Sequence, residues 1–186
     1  MADVLNELKQ YFQLIRSLRT KGLVDRHWRM LGKALNVDLD PQAVTLHQLI
    51  MLDLQQADNF KVIKQVCEVA TKEYAVQTTL SQLEKEIKGA EFVFEFLPDG
   101  ATSIVIELPE LIAQFEDYFL RIGVLKTNPN IKNFVDKLVE LEKIIKMVVD
   151  QINEWADFQR NFIYLFGIFN LAEMRKSMPT ESKLFT

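Results

Sequence analysis

The chain has 186 residues, 48% of them hydrophobic, and a formal net charge of -4; that is apolar material for one domain with a substantial core, and it argues against a disordered chain or a dedicated nucleic-acid binder. Cys67 is the sole cysteine, so no internal disulfide can form. The opening MADVLNELKQ has acids and amides where a signal peptide has a positive and then an apolar region, and a soluble intracellular chain is expected.

Leu5, Leu8, Phe12, Ile15 and Leu18 recur at three and four, which predicts a leading amphipathic helix within residues 1–20. Charge is uneven here: Lys9, Arg16, Arg19, Lys21, Arg26, Arg29 and Lys33 surround a single acid, Asp25. That pattern is either a solvated helix face or a patch that docks on an acidic surface. Gly22 interrupts, and VDRHWRMLGKAL, 24–35, predicts a second helix. TLHQ at 45–48 has capping-box form and predicts a short helix starting there. Asp58 is a candidate N-cap for a long helix through Lys88, with a break or kink expected near Tyr74 to Val76.

The period then shortens to two. EFVFEFL, 91–97, and SIVIEL, 103–108, flank PDG at 98–100 and predict a β-hairpin over about 91–108. An isolated hairpin is marginal in water, so its face of Phe92, Phe94 and Phe96 is expected against the helices. Pro109 opens the next helix, and a sub-bundle boundary is expected near 109–130. From Asn128 the apolar positions Ile131, Phe134, Leu138, Leu141, Ile145, Val148, Ile152, Trp155, Phe162, Phe166 and Phe169 alternate steps of three and four, broken only at Gln159. A continuous helix over them measures about 58 Å at roughly 1.5 Å per residue, against a diameter near 40 Å for a compact globule of this size. The predicted fold class is therefore mostly α, an elongated helical bundle with one small hairpin. Residues 162–169 are apolar on nearly every face but too short to span a membrane, which predicts a helix end surrounded by residues 170–186 or by a neighbouring segment. Gly167 and Asn170 mark its stop, and the tail carries a short helix and a Pro179 break.

Signals for chemistry are weak. No glycine begins a phosphate-binding loop, His27 and His47 lack ligand-type partners at three or four residues, and Cys67 sits on an apolar helix face. No catalytic residue, metal site or cofactor site is expected in these residues. Trp28, Trp155 and the Phe-rich stretch are either a ligand pocket or core packing, and aromatics at helical spacing favour packing.

LVDRHWRML, TLHQLIMLDL, EWADFQRNFIYLFGIF and MRKSMPTESKLF, in this order, resemble the linker region of dynein heavy chains over residues 21–185. The family motifs fall on Arg26, His27 and Trp28; on Thr45, Leu46, Leu49 and Leu54; on Trp155, Gln159, Arg160, Tyr164, Leu165, Ile168 and Phe169; and on Pro179, Glu181, Ser182, Lys183 and Phe185. Phe162 stands where the family usually has a second Trp, Phe166 and Gly167 replace Glu-Pro, and Leu184 replaces an Arg. The R-H-W form looks more like axonemal heavy chains. The resemblance implies one fragment of a mechanical arm lying across a ring of six AAA+ ATPase modules, bending as the ring hydrolyses ATP to drive a power stroke on microtubules. ATP and Mg sites lie elsewhere in such a parent chain, so the fragment itself is expected to be non-catalytic, cytoskeletal and possessed of no nucleic-acid or membrane partner. Its partners are the ring of the same heavy chain, touched by the basic face or the hairpin, and the other chains of the motor complex. The aromatic helix end is expected to be the junction between successive linker bundles. The competing readings are an independent helical adaptor that binds a protein through its aromatic end, and a helical enzyme with a site between bundles.

Overall fold

The computed structural model describes residues 11–185. Among them the chain is mostly α-helical, with one antiparallel two-stranded sheet. Residues 11–18 form α1; Leu5 and Leu8 of the expected leading helix lie outside the described residues. The face α1 buries is offset from the expected one: Tyr11 and Leu14 are buried, whereas Phe12 is exposed. α2 is Asp25–Leu35, closed by Asn36 in the left-handed region. α3, Leu46–Met51, starts as its sequence predicts: Thr45 Oγ1 accepts from the Gln48 N–H at 3.3 Å, and Gln48 Oε1 accepts from the Thr45 N–H at 3.0 Å. α4, Ala57–Lys88, starts one residue before the expected N-cap, so Asp58 lies in its first turn instead of capping it, and the helix runs without the break expected near Tyr74. Ala70, Glu73, Val76, Leu80 and Leu83 continue one buried stripe through that region, so packing overrides the local signal.

The hairpin comprises β1, Val93–Phe96, and β2, Ser103–Ile106, in the register Val93 to Ile106 and Phe94 to Val105. Paired residues share a face, so Phe92, Phe94 and Phe96 lie with Val105, and Ile104 and Ile106 lie with Val93 on the other face. The phenylalanine face is not packed as expected. Phe94 is 61% and Phe96 68% exposed, and it is Val105 and the following Leu108 that are buried. Phe92 and Phe94 instead border an open hollow of about 550 Å³ whose far wall includes Phe115, Ile152 and Trp155.

α5, Leu108–Lys126, carries Pro109 in its first turn. The long last element begins with a 3-10 helix, Pro129–Phe134, and becomes α-helical only as α6, Val135–Phe169. Asn128 accounts for the tighter start: its Oδ1 accepts from the Asn130 N–H at 2.9 Å, and its carbonyl accepts from Ile131 N–H at 3.1 Å. α7, Ala172–Ser177, and α8, Pro179–Ser182, complete the described chain.

The chain divides into two compact units, one running to Gln82 and including Asn128–Phe134, the other formed by Leu83–Thr127 and the residues from Val135 onwards. The first is centred on Leu14, Trp28, Leu31, Leu49, Ile63 and Cys67. The Cys67 thiol donates to the Ser17 carbonyl at 3.2 Å, and burial pushes its pKa up, so it packs as a small core residue and carries little thiolate. In the second unit α5 packs antiparallel on α6 through Leu111, Phe115, Tyr118 and Ile122 on one side and Leu138, Leu141, Ile145 and Ile152 on the other. Charges stitch the helices at one end. Glu84 pairs with Lys137, Glu86 with Arg121 at 2.6 Å, and Glu142 with Lys126 at 2.6 Å.

Two predictions follow from this packing. Gly22 has φ +99°, and a Cβ there stands 2.5 Å from Tyr74 Cβ and 2.7 Å from the Ala70 carbonyl. Gly22→Ala is expected to lower unfolding stability by about 1–3 kcal/mol in urea titrations. The second concerns pH. Hydrogen bonding by Lys137 and then by Lys88 lowers the Glu84 pKa from the ordinary 4.5 to about 2. A depressed folded-state pKa gives stability that is complete above 4.5 and lost as pH falls towards 2. Glu84→Gln is therefore expected to flatten the fall of the melting temperature across that window and to have a smaller pH dependence than the wild type.

Candidate functional site

Two signature residues of the first unit, Arg26 and His27, meet at a carboxylate. Val24 caps α2, and its N–H donates to Nδ1 of His27 at 3.2 Å, the place a Glu or Gln takes in a capping box. A ring nitrogen that accepts carries no proton, so the imidazole proton sits on Nε2. That atom lies 3.2 Å from Oε2 of Glu73 on α4, off the line of a well-formed hydrogen bond. Arg26 forms an ion pair with the same oxygen, and Asn133 Nδ2 of the 3-10 helix donates to Glu73 Oε1 at 3.0 Å. Glu73 thus ties three elements together. His27 is 1% exposed and Trp28 8%, so neither is free to bind a ligand. Sequence reasoning passed over Glu73, although an acid in register with Ala70, Val76 and Leu80 on a buried stripe was its signal.

In the second unit Gln159 explains its own interruption of the α6 seam. Its Oε1 accepts from the Val105 N–H at 2.8 Å and its Nε2 donates to the Val105 carbonyl at 2.7 Å. The side-chain amide occupies the edge of β2 as a peptide group of a third strand does. Trp155 Nε1 donates to the same Oε1 at 3.2 Å. Beyond this point runs a line of rings. Phe158 and Phe162 stack at 6.3 Å, Phe162 and Phe166 are 6.0 Å apart, and Phe185 lies over Phe162 at 6.0 Å and over Phe169 at 4.8 Å.

The tail does fold over one side of the helix end, through Phe185. The other sides stay open: Trp155 is 48%, Phe158 60% and Tyr164 69% exposed. The expectation of a helix end surrounded on all faces is met only on the Phe185 side. Arg160 is exposed and, among the described residues, pairs only with Asp157, one turn away, at 3.1 Å. Glu181 and Lys183 are exposed and make no ion pair among the described residues, whereas Ser182 between them is buried, its hydroxyl donating to the Met178 carbonyl at 2.7 Å. The structure therefore brings Trp155, Gln159, Phe162, Phe169 and Phe185 together and leaves Arg160, Tyr164, Glu181 and Lys183 at the surface. Of the basic residues, Arg16, Arg19, Lys21, Arg29 and Lys33 are exposed without acidic partners among the described residues; Arg26 is the one held by Glu73.

Among the described residues no group of three or more His, Cys, Asp or Glu side chains could hold a metal ion, and no helix is long and apolar enough to cross a membrane. The arrangement leaves at the surface an apolar aromatic end, a set of unpaired cations on and around α1 and α2, and a hollow beside the hairpin.

A family model for dynein heavy chain, N-terminal region 2, matches residues 1–186. The chain is 31% identical over 184 residues to dynein axonemal heavy chain 1 of Rattus norvegicus, and equally to that of Homo sapiens. It is 25% identical over 179 residues to a cytoplasmic dynein heavy chain of Eremothecium gossypii. These alignments take in 97%, 97% and 92% of this chain, and the chain spans 4% of the length of each relative.

The Gln159 bridge generates a prediction. Gln159→Leu keeps the apolar seam but strands the Val105 peptide groups, at about 0.5–1.5 kcal/mol for each of two hydrogen bonds. Stability is expected to fall by roughly 1–3 kcal/mol, with faster amide exchange at Val105 by NMR. Arg160→Ala, next to it but paired only at the surface, should leave both readouts unchanged.

Proposed function

Because the chain belongs to the dynein heavy-chain family, as part of its N-terminal region 2, we propose that it is a linker segment. It transmits ATP-driven changes of the AAA+ ring of its own heavy chain into a power stroke on microtubules. The observation that carries this reading is the match along the whole chain, together with the order of linker motifs between residues 21 and 185. The packing supports it. In the second unit α5 and α6 run side by side, with ion pairs from Glu84, Glu86 and Lys126 fixing them against sliding at one end. Such a body passes force along its helices, where a chain without lateral contacts extends and absorbs it.

On this reading the segment binds no nucleotide, and ATP and Mg are held by other parts of the heavy chain. The exposed cations Arg16, Arg19 and Arg29 are the groups that meet an acidic surface of the ring. The aromatic end from Trp155 to Phe169 joins the next linker bundle. The other chains of the motor complex act on the same machine, and the identity to axonemal heavy chains favours a ciliary or flagellar axoneme. A second reading, a helical adaptor that binds a protein through its aromatic end, draws on the exposure of Phe158 and Tyr164.

The test uses the full-length heavy chain. Deleting the segment that corresponds to residues 23–185 is expected to abolish microtubule gliding while the ring retains basal ATP hydrolysis; gliding at normal speed would refute the lever. Arg16→Glu, Arg19→Glu and Arg29→Glu together are expected to slow gliding and alter ATPase stimulation by microtubules. If both stay at wild-type values, these cations do not meet the ring.

A further inference from the structure

Among the described residues the hairpin has one strand edge without a partner strand. Phe94 is paired with Val105, and both peptide groups of Val105 are bonded to Gln159 and not to β1. Antiparallel pairs alternate between hydrogen-bonded and unbonded, so Phe94 and, two residues on, Phe96 sit in unbonded pairs. The Leu97 N–H donating to the Thr102 carbonyl at 2.8 Å keeps this alternation. The N–H and C=O groups of Phe94 and Phe96 therefore point away from β2, along an edge where no strand lies among the described residues. All four residues of β1 are exposed.

The two faces flanking that edge differ in chemistry. Phe92, Phe94 and Phe96 stand on one, and the first two border the 550 Å³ hollow with Trp155 on its far wall. Glu91, Val93 and Glu95 stand on the other, where Glu91 shares a shallow hollow of about 120 Å³ with Glu107 and Glu110. None of these four glutamate side chains makes an ion pair or hydrogen bond among the described residues. From Gly89 to Leu120 the chain has seven acids and no Lys or Arg.

We propose that this edge of β1 receives a third strand from a partner segment whose residues alternate Lys or Arg with apolar side chains. Strand addition satisfies the outward peptide groups of Phe94 and Phe96. Alternation then sends every second side chain onto the phenylalanines and every other one onto the glutamates, so period-two charge complementarity selects the partner. A second copy of this chain does not fit. Two β1 edges set Glu91 and Glu95 beside the same residues of the other copy, and Arg19 and Lys21, with Thr20 between them, are the only two cations in the sequence that stand two apart. This assignment is independent of the lever reading, because it concerns the isolated protein.

The test titrates the 186-residue protein with a short synthetic peptide of alternating Lys and Val, by calorimetry and by amide exchange. The peptide is expected to bind and to slow exchange at Phe94 and Phe96. Binding is expected to weaken roughly tenfold in Glu91→Lys/Glu95→Lys, whose positions have no partners to lose in the folded chain. It is expected to vanish when the peptide's backbone nitrogens are methylated. Equal binding of an alternating Glu and Val peptide, or indifference to methylation, overturns the proposal. So does a protein dimer in sedimentation that protects Phe94 and Phe96 and excludes the peptide, since it assigns the edge to a second copy.

Discussion

The second unit is governed by a mismatch of length. α5 has 19 residues and α6 has 35, so at about 1.5 Å per residue they measure roughly 29 and 52 Å. Run antiparallel from the Lys126–Glu142 pair, α5 reaches its first residues opposite Ile152 to Arg160. Up to there the α6 seam is a buried seam, with Leu138, Leu141, Ile145 and Ile152 all under 7% exposed. Past it no long helix of the second unit faces α6 among the described residues, and other groups take over in turn. Gln159 holds the hairpin, and Phe185 covers Phe162 and Phe169. The all-round apolarity of residues 162–169 is the sequence of a helix end that has outrun its neighbour.

This explains which features the sequence disclosed. Local rules were legible in most places where the partner was nearby in the chain: the Thr45 and Gln48 capping box, the hairpin with its PDG turn, Pro109 in the first turn of α5 and the stop at Asn170 all use groups within a few residues of one another, and only the cap expected at Asp58 missed, by the one residue that sets it inside α4. Features that depend on distant partners were not legible. The face of α1 is set by what Tyr11 and Leu14 meet, and the absence of a break in α4 by a stripe that continues through Glu73. The hairpin was misjudged in degree for the same reason. Period two shows that Phe92, Phe94 and Phe96 share a side, and that side does carry the buried Val105, but the close contact is made by β2, through Val105 and Gln159, 54 residues later, and leaves the phenylalanines of β1 exposed.

The motif residues divide by what the fold asks of them. His27, Trp28, Gln159, Ser182 and Phe185 are consumed by packing or by hydrogen bonds within one unit, and any surface they offer is incidental. Arg160, Tyr164, Glu181 and Lys183 are not consumed. A charge on the surface with no partner contributes little to stability, so the folding of these units gives no reason for Glu181 or Lys183 in particular. Their reason, on the linker reading, lies in polypeptide outside these residues. Glu73 is the converse case: no motif contains it, yet α2, α4 and the 3-10 helix converge on its two oxygens.

The choice of glutamine at 159 links these strands of argument. Leucine there completes the seam, and α6 gains apolar contact, but the edge of β2 then has a bare N–H and C=O close to a buried Val105 side chain. A carboxylate accepts from the N–H and repels the carbonyl. Among side chains long enough to span the gap, the neutral amide alone supplies a donor and an acceptor in the spacing of a peptide group. With one edge of the hairpin closed in this way by a helix, the other edge is presented at a fixed distance from α6, with phenylalanines towards the hollow and glutamates away from it. A single polar break in an apolar repeat thus does two things: it stops the seam opposite the first turn of α5, and it aims β1.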